Sequence, residues 1–214
     1  MPVLGGSEIS ARLKHRNLVD RLIVAPLLAP EEQLRDDQAS IDIRLGFEFA
    51  LVSPTVRGSI DEFSEDRFSR LSTDHYRKEY VPLGGSLIIH PHQFILAATL
   101  EYIRLPPDLM SYVIGRSTWG RLGLIVATAV GIQPGFAGTL TLELRNLGET
   151  PLTLYPGQAI GQLFFHNVQY APGEGADVPG IGQYGGSIDL LPRRISSELT
   201  RKKLKALKAK NAHT

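Results

Sequence analysis

Glycine and proline divide the chain beyond Val81 into short apolar runs, and this punctuation constrains the fold more than any other feature. Gly-Gly, Pro-Pro, Pro-Gly and Asn-Leu-Gly lie between the runs. Many short strands with regular turn signals are typical of a β-sandwich or a β-barrel. The sequence therefore predicts a mainly β protein, with strands at residues 86–90, 94–100, 112–114, 124–129, 139–144, 152–155 and 159–165.

The segments outside this series predict one short helix, one further strand, a loop and a tail. Apolar residues at helical spacing predict an amphipathic helix within residues 7–23. The alternation over residues 40–46 predicts a half-buried strand, and the highly charged residues 57–80 are expected to form an exposed loop. We therefore predict a β domain over residues 1–190 and a basic, helical C-terminal tail over residues 191–214.

The composition narrows the chemistry that this chain can perform. It contains no cysteine, which removes disulfides, thiolate catalysis and the cysteine-bearing zinc site of the zinc-dependent nucleobase deaminases. The formal net charge of +1 gives no global field that would draw the protein to nucleic acid or to a membrane. No apolar run is long enough to span a bilayer. We therefore expect a cytoplasmic protein without zinc and without a nucleic-acid or membrane partner.

Two features of the sequence allow a second interpretation. His90 and His92 would share one face of a strand and could hold a metal ion, although a solvated or hydrogen-bonded pair at a strand end is the favoured interpretation. The basic tail could contact nucleic acid, but no aromatic residues interleave with its lysines to stack on bases. We therefore interpret the tail as a solvated helix.

One run of residues concentrates groups that bind anions: Gly115-Arg116-Ser117-Thr118-Trp119-Gly120-Arg121. A glycine lets the backbone approach a ligand, and an arginine offers a planar fork to phosphate oxygens. Two hydroxyl groups add short hydrogen bonds. Two arginines and two hydroxyls within six residues suit a polyphosphate, and an exposed turn is the alternative interpretation.

The strand at residues 139–144 carries a candidate acid or base. If Leu140, Leu142 and Leu144 face the core, Glu143 points to the other side together with Thr139 and Thr141. A carboxylate that is partly desolvated there and lies near an arginine can be tuned for proton transfer. An ordinary exposed strand glutamate is the alternative.

From about residue 7 to residue 187 the chain resembles the dCTP deaminases of the dUTPase-like superfamily. The motifs that carry the resemblance stand in the order of that family: Ser40-Ile41-Asp42-Ile43-Arg44-Leu45-Gly46, His90-Pro91, Thr99-Leu100-Glu101, Leu105-Pro106, Gly115-Arg116-Ser117-Thr118, Arg121-Leu122-Gly123-Leu124, Pro134-Gly135-Phe136-Ala137-Gly138, Thr141-Leu142-Glu143, Pro156-Gly157 and Ile160-Gly161-Gln162-Leu163. The resemblance implies a distorted jelly-roll of β-strands and a homotrimer with active sites shared between subunits. It also implies dCTP and dUTP as ligands, with Mg²⁺ bound through the nucleotide triphosphate and no catalytic metal on the protein.

The resemblance also implies roles for single residues. Glu143 would be the catalytic base, and Ser117 and Arg121 would hold the attacking water and the glutamate in line. Arg116 and Thr118 would contact phosphates, while Thr141 and Leu142 would meet the cytosine through their backbone. The remaining residues that we expect at the nucleotide are Trp119, Gly120, Gln133, Gln162 and Tyr184.

The sister activity of this superfamily is dUTP diphosphatase, and two positions separate it from deamination. dUTPases resemble this chain around Gly115-Arg116-Ser117, but they have an apolar residue where Glu143 stands and an aspartate where Gln133 stands. A neutral glutamine cannot act as a base for water, so we predict deamination to dUTP and ammonia. A bifunctional enzyme that forms dUMP, and a non-catalytic nucleotide-binding trimer, remain alternatives. The non-catalytic trimer is suggested because two residues that deaminases usually have are absent from this sequence. They are an aspartate at position 133, where Gln133 stands, and a lysine before Tyr184, where Gln183 stands.

Overall fold

The computed structural model describes residues 2–52, 75–127, 131–169 and 202–203, and there the chain is mainly β. Helices α1 (Gly6–Leu13), α2 (Pro30–Gln33) and α3 (Ser117–Arg121) are short. The strands are β1 (Ile23–Ala25), β2 (Ser40–Val52), β3 (Tyr76–Tyr80), β4 (Leu87–Ile89), β5 (Phe94–Arg104), β6 (Leu109–Gly115), β7 (Leu124–Val126), β8 (Gly131–Ile132), β9 (Ala137–Asn146), β10 (Leu152–Leu154) and β11 (Ala159–Asn167). The mainly β class that the sequence predicts is confirmed.

Nine strands form one curled sheet, whose main path runs β7-β9-β5-β2-β11-β6-β8. Beside this path β1 pairs with β5 and β3 pairs with β2, while β4 and β10 form a separate two-stranded sheet. The long strand β2 joins the two halves of the large sheet. Residues 40–44 of β2 pair with β11, and residues 45–51 pair with β5 across a register irregularity.

One apolar cluster packs both halves of the sheet together. Ile9 of α1, Ile89 of β4, Leu142 of β9 and Phe165 of β11 all belong to it and have no exposed surface. Each large apolar side chain that is fully buried contributes about 1.5–3 kcal/mol to folding. This core fixes the strands whose outer faces and ends carry the candidate site.

The structure corrects three of the predicted elements. The helix expected within residues 7–23 ends at Leu13, because the chain turns there and then joins β5 as strand β1. Residues 76–80, expected in a loop, form β3 because they pair with β2. The strand at residues 40–46 is buried on both faces, and not half-buried as expected, because polar partners cover its polar side.

Several predictions fall outside the described residues. Residues 57–74 of the charged segment, Tyr184 and the tail apart from residues 202–203 are not described. The boundary between a domain and a tail near residue 190 therefore stays a prediction. Within residues 2–52, 75–127, 131–169 and 202–203, no helix is long and apolar enough to cross a membrane.

Candidate active site

Three polar side chains meet where β2, β11 and the end of β6 lie side by side. Gln162 of β11 stands opposite Asp42 of β2 and opposite Ile114 of β6. Gln162 Nε2 donates a hydrogen bond to Asp42 Oδ1 at 2.9 Å. Arg116, just beyond β6, donates from Nη1 to Asp42 Oδ2 at 2.6 Å. We call these three residues the Asp42 cluster, and it brings together two of the predicted nucleotide-binding residues.

Helix α3 carries the rest of the arginine-serine run toward solvent. Trp119 packs against the core, and its indole Nε1 donates to the backbone carbonyl of Ala159 at 2.9 Å. That contact fixes α3 against the start of β11. The other residues of α3 are exposed and accessible to a ligand: Ser117, Thr118, Gly120 and Arg121.

Gly123, which follows α3, has a backbone that only glycine adopts without strain. Its φ is +91°, and a Cβ placed there would lie 2.6 Å from the backbone nitrogen of Gly148. We expect Gly123→Ala to lower the free energy of unfolding by about 2 kcal/mol or more, through left-handed strain and a clash with backbone. Urea unfolding of this variant measures the loss. Gly120→Ala is the matched control, because a Cβ at that position meets nothing within 4 Å, and equal stability of the two variants would contradict the account.

Strand β9 has the two faces that its sequence predicts. Leu140, Leu142 and Leu144 are buried, whereas Thr141 and Glu143 are partly exposed on the opposite face. This alternation confirms the predicted orientation of Glu143. Because the Leu142 side chain has no exposed surface, only its backbone is available to a ligand.

Glu143 lies beside a small apolar cluster, and burial changes its acidity. Glu143 stands opposite Leu96 of β5, which belongs to a small buried cluster with Ala50 and Ala98, and Tyr76 packs against that cluster. Burial raises the pKa of the Glu143 carboxyl above its ordinary value. A carboxylate with a raised pKa is a stronger base, as proton abstraction from water requires.

Tyr76 is a residue near the candidate base that the sequence analysis missed. Its phenol pKa is raised by burial and, to a smaller extent, by the negative charge of Glu143. Tyr76 therefore keeps its proton at neutral pH and lies within electrostatic reach of the carboxylate. It begins β3, in a segment whose many charged residues indicate a loop.

Glu143 and Arg116 are connected through β7, which pairs with β9 and packs against the end of β6. The backbone N–H of Ala127, just after β7, donates to the carbonyl of Glu143 at 2.8 Å. Val126 in turn packs against Gly115, where a Cβ would approach the Val126 side chain to 3.1 Å. The close approach that glycine allows therefore places β7 between the base on β9 and the arginine beyond β6.

Gln133 lies at the other end of β6 from Arg116. Ile132 of β8 pairs with Ser111 of β6, which puts Gln133 level with Met110. Along β6, six positions separate Met110 from Arg116, which is about 20 Å at 3.3 Å per residue. A single subunit therefore does not place Gln133 beside Arg116.

The buried carboxylate of Glu101 holds the backbone of β2 in place next to the Asp42 cluster. Glu101 of β5 has no exposed surface, and its Oε2 accepts the backbone N–H of Arg44 at 2.9 Å. Its Oε1 accepts from Gln33 Nε2 at 3.1 Å, and the same Gln33 nitrogen donates to the backbone carbonyl of Asp42 at 3.1 Å. Burial raises the pKa of the Glu101 carboxyl. Glu101 thus supplies hydrogen-bond acceptors to β2 at Arg44, just beyond the point where the pairing between β2 and β5 ends.

The structure places the two histidines that the sequence singled out in a turn and not on one face of a strand. His90 and His92 lie in the turn between β4 and β5, where His92 has a φ of 64°. His92 Nε2 lies 3.8 Å from the carboxylate of Glu149. Among the described residues, no group of three or more histidine, aspartate or glutamate side chains is placed to hold a metal ion.

Comparison with known proteins identifies the family. A sequence model described as dCTP deaminase-like matches residues 3–168. The chain belongs to this family. The resemblance inferred from the ordered motifs is therefore confirmed.

Relatives with sequence identity above one third extend over most of the chain. A protein named dCTP deaminase from Haloarcula marismortui is 39% identical, over 76% of this chain and 79% of its own length. A protein named "dCTP deaminase, dUMP-forming" from Persephonella marina is 38% identical, over 85% of this chain and 94% of its own length. Another with the same name from Methanobrevibacter smithii is 38% identical, over 69% and 73% respectively.

A solved structure shares the fold of this family member. The crystal structure of 2'-deoxycytidine 5'-triphosphate deaminase from Agrobacterium tumefaciens superposes with a TM-score of 0.56 at 20% sequence identity. The match covers 79% of this chain and spans about half, 48%, of the solved chain. The fold expected from the resemblance is therefore confirmed.

Proposed function

We propose that this chain binds dCTP and catalyses its hydrolytic deamination to dUTP and ammonia. The observation that carries the proposal is Glu143, a half-buried carboxylate of raised pKa at the position where the family resemblance expects the base. The Asp42 cluster adds Arg116 and Gln162 as groups for the nucleotide. A relative named dCTP deaminase at 39% identity supports the choice of substrate. We assign the activity to the deoxynucleotide metabolism of the cytoplasm.

In the proposed reaction, Glu143 accepts a proton from a water molecule whose oxygen attacks C4 of cytosine. A C–O bond forms at C4 and the bond from C4 to the exocyclic nitrogen breaks. Glu143 passes this first proton to N3 of the ring and then transfers the second proton of the water to the exocyclic nitrogen, which leaves as ammonia while C4 becomes the carbonyl of uracil. Ser117 and Arg121 hold the water and the carboxylate in line, while Arg116 and Thr118 bind phosphate oxygens.

We further propose that the working site is shared between subunits of a homotrimer. One chain leaves Gln133 about 20 Å from Arg116, measured along β6. If a second subunit placed its own Gln133 next to Arg116 of the first subunit, one pocket would contain both residues. A Mg²⁺ ion at this site would take its ligands from phosphate oxygens and water, a donor set that suits Mg²⁺.

Incubation of dCTP and Mg²⁺ with the protein is expected to release ammonia and dUTP in equal amounts, without pyrophosphate. The reason is that Gln133, a neutral amide, cannot activate water for attack on a phosphate. An ammonia assay together with ion-exchange chromatography of the nucleotides measures both products. dUTP given as the substrate is the control and is expected to remain intact. Tight binding of dCTP without any product would instead indicate a nucleotide-binding regulator.

A bifunctional reaction that forms dUMP and pyrophosphate is the second candidate. Two of the relatives above are named dUMP-forming, one of them 38% identical over 85% of this chain. The same incubation separates the candidates, because the bifunctional enzyme releases one pyrophosphate for each ammonia. Pyrophosphate in that ratio would replace dUTP by dUMP as the proposed product.

The acidic limb of the pH profile is expected to report on Glu143. The base must be ionised, and burial raises the pKa of its carboxyl. We therefore expect kcat/KM to be full above this raised pKa and to fall tenfold per pH unit below it, with the fall starting at a higher pH than an ordinary glutamate would give. Initial rates of ammonia release from pH 5 to 9 measure the profile. A profile that stays flat down to the ordinary pKa of a glutamate would contradict the assignment.

A further inference from the structure

We propose that Asp42 is a positioning residue of the nucleotide site, which orients the Arg116 guanidinium and the Gln162 amide for the triphosphate. The inference rests on the proposed function, since it assumes that these two residues contact the nucleotide. The sequence pattern alone gives no role to Asp42, which lies in β2. The role is indirect, because Asp42 acts through its two partners.

The geometry of the carboxylate supports this role. Its two oxygens have different partners: Oδ2 accepts from Arg116 at 2.6 Å and Oδ1 accepts from Gln162 at 2.9 Å. The Asp42 side chain is 12% exposed, whereas that of Arg116 is 38% exposed. The carboxylate is thus at the base of the cluster and the guanidinium is at its solvent side. Within the described part of the chain the Asp42 contact uses Nη1, so Nε and Nη2 are available to an oxyanion.

Asp42 is itself held in place by the sheet and by buried groups. It pairs with Gln162 across the ladder between β2 and β11. Its backbone carbonyl accepts from the buried Gln33 side chain, which is in turn bound to the buried Glu101 carboxylate. A carboxylate on such a support has little freedom to move, so it can orient a long arginine side chain.

The expected consequence concerns binding more than chemistry. A free arginine side chain has many rotamers, and a planar fork held in one orientation loses less entropy when it binds a phosphate. Without Asp42 the guanidinium can turn toward solvent, and we expect the dissociation constant for dCTP to rise about tenfold. We expect kcat to change less than about threefold, because Glu143 lies on another strand and keeps its surroundings.

If Asp42 had a competing role instead, its removal would change the affinity for dCTP in the opposite direction. If the carboxylate mainly competed with phosphate for Arg116, its removal would tighten nucleotide binding. The two roles are therefore separated by the direction of the change.

A double-mutant cycle tests whether Asp42 acts through Arg116. Asp42→Ala, Arg116→Ala and the double variant are compared by calorimetric titration with dCTP and Mg²⁺, in an E143Q background that does not consume the ligand. KM and kcat are measured with Glu143 present. We expect Asp42→Ala to weaken binding about tenfold alone, but less than about threefold when Arg116 is already alanine. Asp42→Asn, which keeps one acceptor oxygen, is expected to recover part of the loss.

Asp108→Ala is the matched control, because Asp108 forms an ion pair with Arg12 at the opposite end of β6. It is expected to leave dCTP binding unchanged. Thermal unfolding of each variant shows whether the fold is kept.

Each outcome bears on a different claim. Additive losses in the cycle would overturn the action of Asp42 through Arg116, and tighter binding by Asp42→Ala would overturn its positioning role altogether, even if wild-type protein releases ammonia. A non-additive cycle without ammonia release would support Asp42 and overturn the proposed reaction. No binding of dCTP by the background protein at millimolar concentration would overturn both.

Discussion

Replacement of Glu143 by glutamine is expected to abolish ammonia release from dCTP, with a loss of at least about 10²–10⁴-fold in kcat, the range that general acid–base catalysis contributes. The amide has nearly the size and shape of the carboxylate, but it cannot accept the proton of the attacking water. Because Glu143 is half-buried and its pKa is already raised by burial, removal of the charge also removes an unfavourable desolvation. The free energy of unfolding is therefore expected to stay equal or to rise slightly.

The exposed residue Glu149 offers a matched control for this prediction. Glu149→Gln makes the same chemical change on a side chain that is 87% exposed, and it is expected to keep full activity. Ammonia release is measured for wild type and both variants at equal concentrations of folded protein. Comparable turnover by E143Q and wild type would remove Glu143 from the mechanism.

Replacement of Glu101 by alanine is expected to lower the free energy of unfolding by about 3–5 kcal/mol, because two hydrogen bonds to a buried carboxyl group are lost and a cavity is left. The Glu101 carboxylate accepts the backbone N–H of Arg44 and the side-chain amide of Gln33 in the interior. Without it, the Arg44 N–H stays buried without its acceptor, and the Gln33 amide keeps only the backbone carbonyl of Asp42. Chemical denaturation at pH 7 measures the loss.

The stability lost in Glu101→Ala is expected to depend on pH in one direction. Burial raises the pKa of Glu101, so the folded state binds its proton more tightly than the unfolded state. The part of its stability contribution that depends on this proton is full below the unfolded pKa and is lost as pH rises through the raised pKa. We therefore expect the deficit of Glu101→Ala to be larger at pH 5 than at pH 7. An exposed glutamate such as Glu149, replaced by alanine, is expected to cost less than about 0.5 kcal/mol, and an equally small cost at position 101 would contradict the network.

Local pattern was sufficient to predict much of the fold. Glycine and proline punctuation located most of the long strands, since these residues end strands wherever they lie. The alternation of leucines with Thr141 and Glu143 predicted both the buried face of β9 and the orientation of the candidate base. These are properties of a few adjacent residues, so one sequence contains them.

The parts that could not be predicted depend on distant partners. The helix ends at Leu13, and residues 23–25 form a strand because they pair with residues 102–104 of β5. Asp42 looked like the polar side of a half-buried strand, and its partners Arg116 and Gln162 lie 74 and 120 positions away. Glu101 is bound to Gln33 across 68 positions. Nothing in the neighbouring residues indicates such contacts, because they form only when the sheet closes.

The central claim, that water attacks the cytosine ring of dCTP, is tested most directly by one isotope experiment. The protein is incubated with dCTP and Mg²⁺ in H₂¹⁸O, and the nucleotide product is fragmented in a mass spectrometer. We expect one ¹⁸O atom in the uracil base of the product and none in its phosphates. An unlabelled cytosine base, or label that appears only in a phosphate group, would contradict the claim.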